Sequence, residues 1–96
     1  MFYRVGKIKC EEGKADEVIK YFKSNEDFFN DTDGIHSLSY FKSANDEVIG
    51  VAVWESKESL DSNAERVQSM MAGLMKYVIS PPEISEGTLE YQFNNK

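Results

Sequence analysis

The side chains best suited to chemistry in this chain are few and widely separated: Arg4, Cys10, His36 and Trp54. His36 is the only histidine, hence the one side chain whose ordinary titration lies near neutral pH. It could act as a general base, but no evident partner orients it, and the plainer reading is a histidine within a sheet interface. Arg4 stands among Phe2, Gly6 and Ile8 on an alternating strand. A guanidinium there is either paired to a carboxylate or aimed at an anionic ligand, and the pair is the favoured reading. Cys10, the only cysteine, allows no internal disulfide and fits a reducing compartment. It reads as a small buried or edge-strand residue rather than a nucleophile. One His and one Cys without HxxH or CxxC spacing give no metal site, and no cofactor motif is visible. Met70, Met71 and Met75 read as deformable core. Trp54 is the only tryptophan, and it closes the most apolar run in the chain.

That run, Val48–Trp54, is β-branched and short, bounded by Asn45–Asp46 before it and Ser56 after it. Its length and composition predict a strand buried on both faces. The whole chain of 96 residues is expected to form one domain, 1–96. It is 41% hydrophobic and carries six Phe and five Tyr, a large aromatic load for its size. Eleven basic and seventeen acidic residues leave a net charge of −6. With no basic cluster, neither nucleic acid nor an anionic membrane is an expected partner. The longest apolar run is far too short to span a bilayer, and Arg4, Lys7 and Lys9 interrupt anything resembling a signal peptide. A cytoplasmic protein is expected.

The elements that must position these residues follow in order. Phe2 to Cys10 alternates as a strand. A helix is predicted from about Lys14 to Phe29, with Ala15, Val18, Ile19, Phe22 and Phe29 on one stripe. Gly34 opens a second strand, Ile35 to Lys42, and Asn45–Asp46 suits a tight hairpin turn of residues tolerant of positive φ. Ser56 is a plausible N-cap for a helix from Lys57 to Val78, which Ser80–Pro81–Pro82 prevents from continuing. Thr88 to Phe93 alternates as a final strand, and Asn94–Asn95–Lys96 is a tail. The order β-α-β-β-α-β gives an α+β, ferredoxin-like fold: an antiparallel sheet with both helices on one face. Ile49, Val51 and Val53 alternate with Val48, Gly50, Ala52 and Trp54, so both faces of the third strand are apolar. Helices cover only one face, and a homodimer with facing sheets is expected to cover the other.

A two-residue Asn45–Asp46 turn would pair Phe41 with Gly50, Ser39 with Ala52 and Ser37 with Trp54 across the hairpin. This set mixes small residues with large aromatics and leaves room for a cavity under the helices. Leu38 and Tyr40 would meet Val53 and Val51 on the bulky opposite face. A three-residue turn would instead bring His36 opposite Trp54. The first pairing is preferred because it sorts small from bulky side chains. The expected binding residues are accordingly Trp54 and Phe41 as apolar walls, Ser37 and Ser39 as hydrogen-bonding groups, and Arg4 as an electrostatic partner, with no catalytic residue assigned.

Gly13 before the first helix, Gly34 at the second strand, Trp54–Glu55–Ser56 at the end of the third and Pro81–Pro82 before the last form a pattern over nearly the whole chain. It resembles the antibiotic biosynthesis monooxygenase (ABM) family of dimeric α/β-barrel proteins. The resemblance implies a cofactor-free monooxygenase acting on a small aromatic or quinol-type substrate, or alternatively a non-catalytic small-molecule binding or sensing homodimer. The functional groups of the family's haem-degrading members would fall at Gly6, Asn63 and Gly73, where they are missing. Of the groups used by its polyketide oxygenases, the tryptophan is kept at Trp54. Their Asn, Tyr and His would fall at Gly50, Leu60 and Phe41.

Overall fold

The computed structural model describes residues 1–95, so Lys96 of the expected tail lies outside the described residues. The alternating segment Phe2–Lys9 forms β1, and the hairpin expected around Asn45–Asp46 is built from β2 (Ile35–Ala44) and β3 (Glu47–Trp54). With β4 (Glu83–Thr88) they make one sheet in the order β2-β3-β1-β4, every neighbouring pair antiparallel. This is the expected ferredoxin-like α+β arrangement.

Each of the two expected helices is divided. The first becomes α1 (Ala15–Lys23) and α2 (Glu26–Asn30); the second becomes α3 (Lys57–Ser62) and α4 (Ala64–Ala72). Both breaks fall on a Ser-Asn pair. At the first, the Ser24 hydroxyl and the Asn25 amide both donate to the Tyr21 carbonyl, each at 2.7 Å. At the second, Ser62 and Asn63 both donate to the Ser59 carbonyl, at 3.1 and 2.8 Å. Short polar side chains thus compete with the next backbone N–H for a helical carbonyl, which is why such residues are poor helix interiors. Ser56 caps α3 as expected, its hydroxyl accepting from Ser59 N at 3.1 Å. The second helix also stops earlier than expected: from Gly73 the chain turns, and it reaches β1 again through a Cys10–Val78 bridge.

The final strand lies earlier than expected. Glu83–Thr88 pairs with β1, Phe2 standing opposite Thr88. The Leu89 N–H donates to the Met1 carbonyl at 2.9 Å, and the β1–β4 ladder ends with the Phe2–Thr88 pair. The alternation Leu89, Tyr91, Phe93 therefore forms no strand, and Tyr91 and Phe93 stand 80% and 72% exposed.

The hairpin also departs from its expected pairing. Ala44 and Glu47 flank the two-residue turn, but a bulge between Lys42 and Ala44 displaces everything beyond it by one residue. Among the described residues no non-glycine residue has positive φ, so Asn45–Asp46 do not form the mirror-image turn that matches strand twist, and the bulge absorbs the difference. The Ser43 hydroxyl donates to the Glu47 carboxylate at 2.6 Å across this bulge. That bond holds the Glu47 carboxyl below its usual range. A second irregularity falls between Ile35 and Ser37. Because strand side chains alternate, a one-residue slip exchanges the two faces. Tyr40 now stands opposite Gly50, Leu38 opposite Ala52, and Ile35 opposite Trp54.

Two apolar clusters hold the helices to one face of the sheet. Ile8 and Val48 pack with Val18, Phe22, Met70 and Leu74; Phe2 and Trp54 pack with Leu60. No helix among the described residues is long and apolar enough to cross a membrane. The Tyr40 ring lies across Gly50, where an added Cβ would come within 2.2 Å of it. Its other side stacks on Phe22, ring centroids 3.7 Å apart. Gly50→Ala is expected to force the ring aside and to lower stability by about 1–3 kcal/mol, the usual cost of overpacking. A urea titration at unchanged slope measures it.

Candidate functional site

On the helix-facing side, cross-strand pairing arranges the sheet in rows. Phe2–Trp54 and Ile8–Val48 are bulky, and each belongs to one of the two clusters. Between them lie Arg4–Ala52 and Gly6–Gly50. Apart from Arg4 these residues are small, which admits the Tyr40 ring and Ile84 over the two glycines and leaves a cavity between sheet and helices. Trp54 and Ile35 stand at one end, Ile8 and Met70 towards the other, and Phe28 and Phe29 of α2 are further wall residues. The space open to the centre of a water molecule is about 50 Å³, against the roughly 10–15 Å³ that one water needs. A ring-sized ligand must therefore push the walls apart. Two surface grooves border the cavity: one shares Phe29, Leu38 and Tyr40 with it, the other shares Arg4, Val67, Met71, Pro82 and Ile84.

The polar equipment is sparse and consists of donors. Trp54 is only 2% exposed, and its indole N–H is buried without an acceptor. An orphaned donor of this kind costs about 1–3 kcal/mol. Arg4 is half-buried, and its Nε lies 3.3 Å from the Glu86 carboxylate, which settles its structural pairing. Burial pushes the Tyr40 phenol far above its usual range, and the nearby Arg4 charge offsets this only in part. Tyr40 is thus a proton holder at any ordinary pH. Thr32, buried in the wall, already donates to the Phe28 carbonyl at 2.6 Å. Among the described residues, no three His, Cys, Asp or Glu side chains come together as a metal site would require.

Of the five residues expected to bind a ligand, Trp54 and Arg4 line the cavity. Ser37, Ser39 and Phe41 do not: the bulge near Ser43 turns them to the opposite face, where they pair with Val53, Val51 and Ile49. Phe41 is 51% exposed there. In their place stand Ile35, Leu38 and Tyr40. His36 falls at the second bulge and is exposed, away from the cavity. Sequence reasoning also missed Phe28, Thr32, Met70, Met71 and Glu86. The signal that could have found Tyr40 is Gly50 itself, since a glycine in a buried strand often marks close approach by a neighbour.

One of the roof helices is weakly held. α2 spans five residues and buries none of them. Its Phe28 ring carries the Arg66 guanidinium of α4 at 5.0 Å from the centroid, and Arg66 also reaches the Thr32 hydroxyl at 3.4 Å.

A split-βαβ sheet with a cavity between sheet and helices defines a small α+β, ferredoxin-like protein with an aromatic-walled pocket. The sequence profile of the antibiotic biosynthesis monooxygenase family matches residues 1–77; the chain belongs to that family. No curated protein matches the sequence. Solved structures share the fold at low identity. A monooxygenase from the gene ActVA-Orf6 of Streptomyces coelicolor, in complex with nanaomycin D, is 16% identical with a TM-score of 0.81, covering 99% of this chain and 92% of its own. SnoaB, a cofactor-independent oxygenase from Streptomyces nogalater in its N63A form, is 13% identical with a TM-score of 0.80, covering 98% and 97%. NE2512 of Nitrosomonas europaea, of unknown function, is 12% identical with a TM-score of 0.78, covering 99% and 95%.

Arg66→Ala is expected to free α2 at a cost of about 0.5–1 kcal/mol, the range of an exposed cation–π contact. Hydrogen exchange should quicken over residues 26–32 while the protection of β1 and β3 is retained.

Proposed function

We propose that the cavity binds a small flat aromatic molecule of phenol, quinol or quinone type, and that the protein acts on it as a cofactor-independent monooxygenase. The observation that supports the ligand is the unpaired indole N–H of Trp54 in a mostly apolar pocket. A hydrocarbon would leave that donor orphaned, whereas a carbonyl or phenolic oxygen satisfies it. Arg4 is the second group able to hold an oxygen that carries or develops negative charge.

Membership of the family, and the oxygenase activity of two proteins with the same fold, support the reaction. In it a phenol or quinol reacts through the ring methylene of its keto tautomer, which loses a proton, and the resulting carbanion passes electrons to O2. The methylene and one O2 give a carbonyl and one water, both electron pairs coming from the substrate. No residue among the cavity's lining is a free base, so the substrate must be acidic in its own right. The same fact favours a second reading: a non-catalytic homodimer that binds or senses such a molecule.

The dimer belongs to the proposal as well. Tyr3, Val5, Ile49, Val51 and Val53 form a partly exposed apolar stripe on the sheet face opposite the helices, and among the described residues no helix packs on it. Sedimentation at micromolar concentration is expected to show a dimer, and Val51→Glu a monomer. A wild-type monomer would remove the barrel from this reading.

Oxygen uptake with a panel of quinols and anthrone-type compounds, run beside calorimetric binding, separates the two readings. One O2 consumed per substrate supports the oxygenase, and binding without uptake supports the sensor. Trp54→Phe keeps the aromatic wall but removes the donor. It should weaken binding about tenfold, the worth of one net hydrogen bond.

A further inference from the structure

The one charged side chain on the cavity wall meets any ligand with a partner already in place. Arg4 and Glu86 are direct cross-strand neighbours of β1 and β4, so the backbone itself holds the carboxylate beside the guanidinium. Their contact uses Nε, at 3.3 Å from Oε2. The remaining guanidinium N–H groups stay available to donate to a ligand oxygen. The groove that meets the cavity at Arg4 also carries Glu86 and Asp61, so two carboxylates stand on that approach. The chain as a whole carries a charge of −6.

We infer that Glu86 sets the specificity of the cavity, admitting uncharged phenols and quinones and turning away carboxylates; this rests on the ligand-binding reading above. A neutral oxygen accepts from the free guanidinium N–H groups while the ion pair persists. A carboxylate accepting from the same N–H groups instead adds a second negative charge around one guanidinium, repelled by Glu86 at once and by Asp61 on the approach, near a poorly hydrated pocket. Glu86 touches no reacting atom in this account. It acts through Arg4, by deciding how much positive charge a ligand meets.

Calorimetry with 2-naphthol and 2-naphthoate at pH 7.5 provides a pair of the same ring size, one neutral and one charged. Wild-type protein is expected to bind naphthol at least tenfold more tightly. In Glu86→Gln, naphthoate should gain about tenfold, an effect of the size expected from one nearby charge, while naphthol changes less than twofold. Glu83→Gln removes the same charge from the same strand, where it pairs with Lys7 at 3.8 Å and lies outside the cavity lining. It should leave the ratio of the two affinities unchanged. An unaltered ratio in Glu86→Gln, an equal shift in Glu83→Gln, or a wild-type preference for naphthoate overturns the role of Glu86 while leaving the pocket standing. Binding of neither compound overturns the pocket reading and this inference together.

Discussion

Between two bulky rows of the sheet, Gly6, Gly50 and Ala52 leave a floor without large side chains, and the helix-facing half of the protein is arranged around that floor. Ile8 and Val48 anchor α1 and α4 through Val18, Phe22 and Met70. Phe2 and Trp54 anchor α3 through Leu60. Each such buried aliphatic or aromatic side chain stabilises the fold by about 1.5–3 kcal/mol, so the two clusters fix the helices at both ends of the sheet. Nothing comparable rises from the middle rows. A Cβ at Gly6 would come within 3.3 Å of Ile84, and one at Gly50 would enter the Tyr40 ring. The space that the two glycines leave is therefore taken up by the Tyr40 ring and Ile84, which come in from the neighbouring strands to line the cavity.

The helical layer answers this division of the core. A single helix over residues 14–29 would carry Phe22 and Phe29 on one continuous stripe. The break at Ser24–Asn25 lets α1 serve the Ile8–Val48 cluster while the aromatics of α2 serve the cavity wall. α2 buries no residue fully; it is held by Phe28 and Phe29 packing against the edge of the Ile8–Val48 cluster and by Arg66, which touches the Phe28 ring and the Thr32 hydroxyl. Segments with few buried contacts are the ones that open at low free energy. The narrow cavity and the weakly held α2 beside it are thus physically consistent: a ligand larger than a few waters finds at least one wall that can yield.

Much of this was legible in the sequence, and the losses have particular causes. The element order, the apolar third strand and the Ser56 cap follow from alternation and capping alone; the cavity-wall position of Trp54 was reached through a hairpin pairing that the structure replaces. The faces of β2 did not, because they depend on a bulge near Ser43 that one side-chain hydrogen bond and the absence of positive φ bring about. That one residue exchanged Phe41 and Ser39 for Tyr40 and Leu38, and the second irregularity, between Ile35 and Ser37, then set Ile35 rather than His36 opposite Trp54. The Ser-Asn pairs that divide both helices were present to be read, but apolar periodicity runs through them and masks the competition for a carbonyl. The final strand was misplaced for a different reason. Leu89, Tyr91 and Phe93 alternate well, yet a strand needs a neighbour, and β1 ends before it can provide one.

The resemblance placed polar groups of related oxygenases at positions that here hold Gly50, Leu60 and Phe41, and the structure shows what each position does instead. Gly50 accommodates the Tyr40 ring, Leu60 completes a core with Phe2 and Trp54, and Phe41 faces away from the cavity. The polar character that remains comes from other places: an indole N–H, a guanidinium and a phenol that keeps its proton. All three donate, and none can accept a proton at neutral pH. Such a set stabilises an oxygen that is negative or becoming so, but it cannot create the negative charge by deprotonation. Whatever enters this cavity must bring its own acidity if it is to react there. An electron-rich phenol or quinol meets that demand; an ordinary ketone or hydrocarbon would be held, if at all, without being changed.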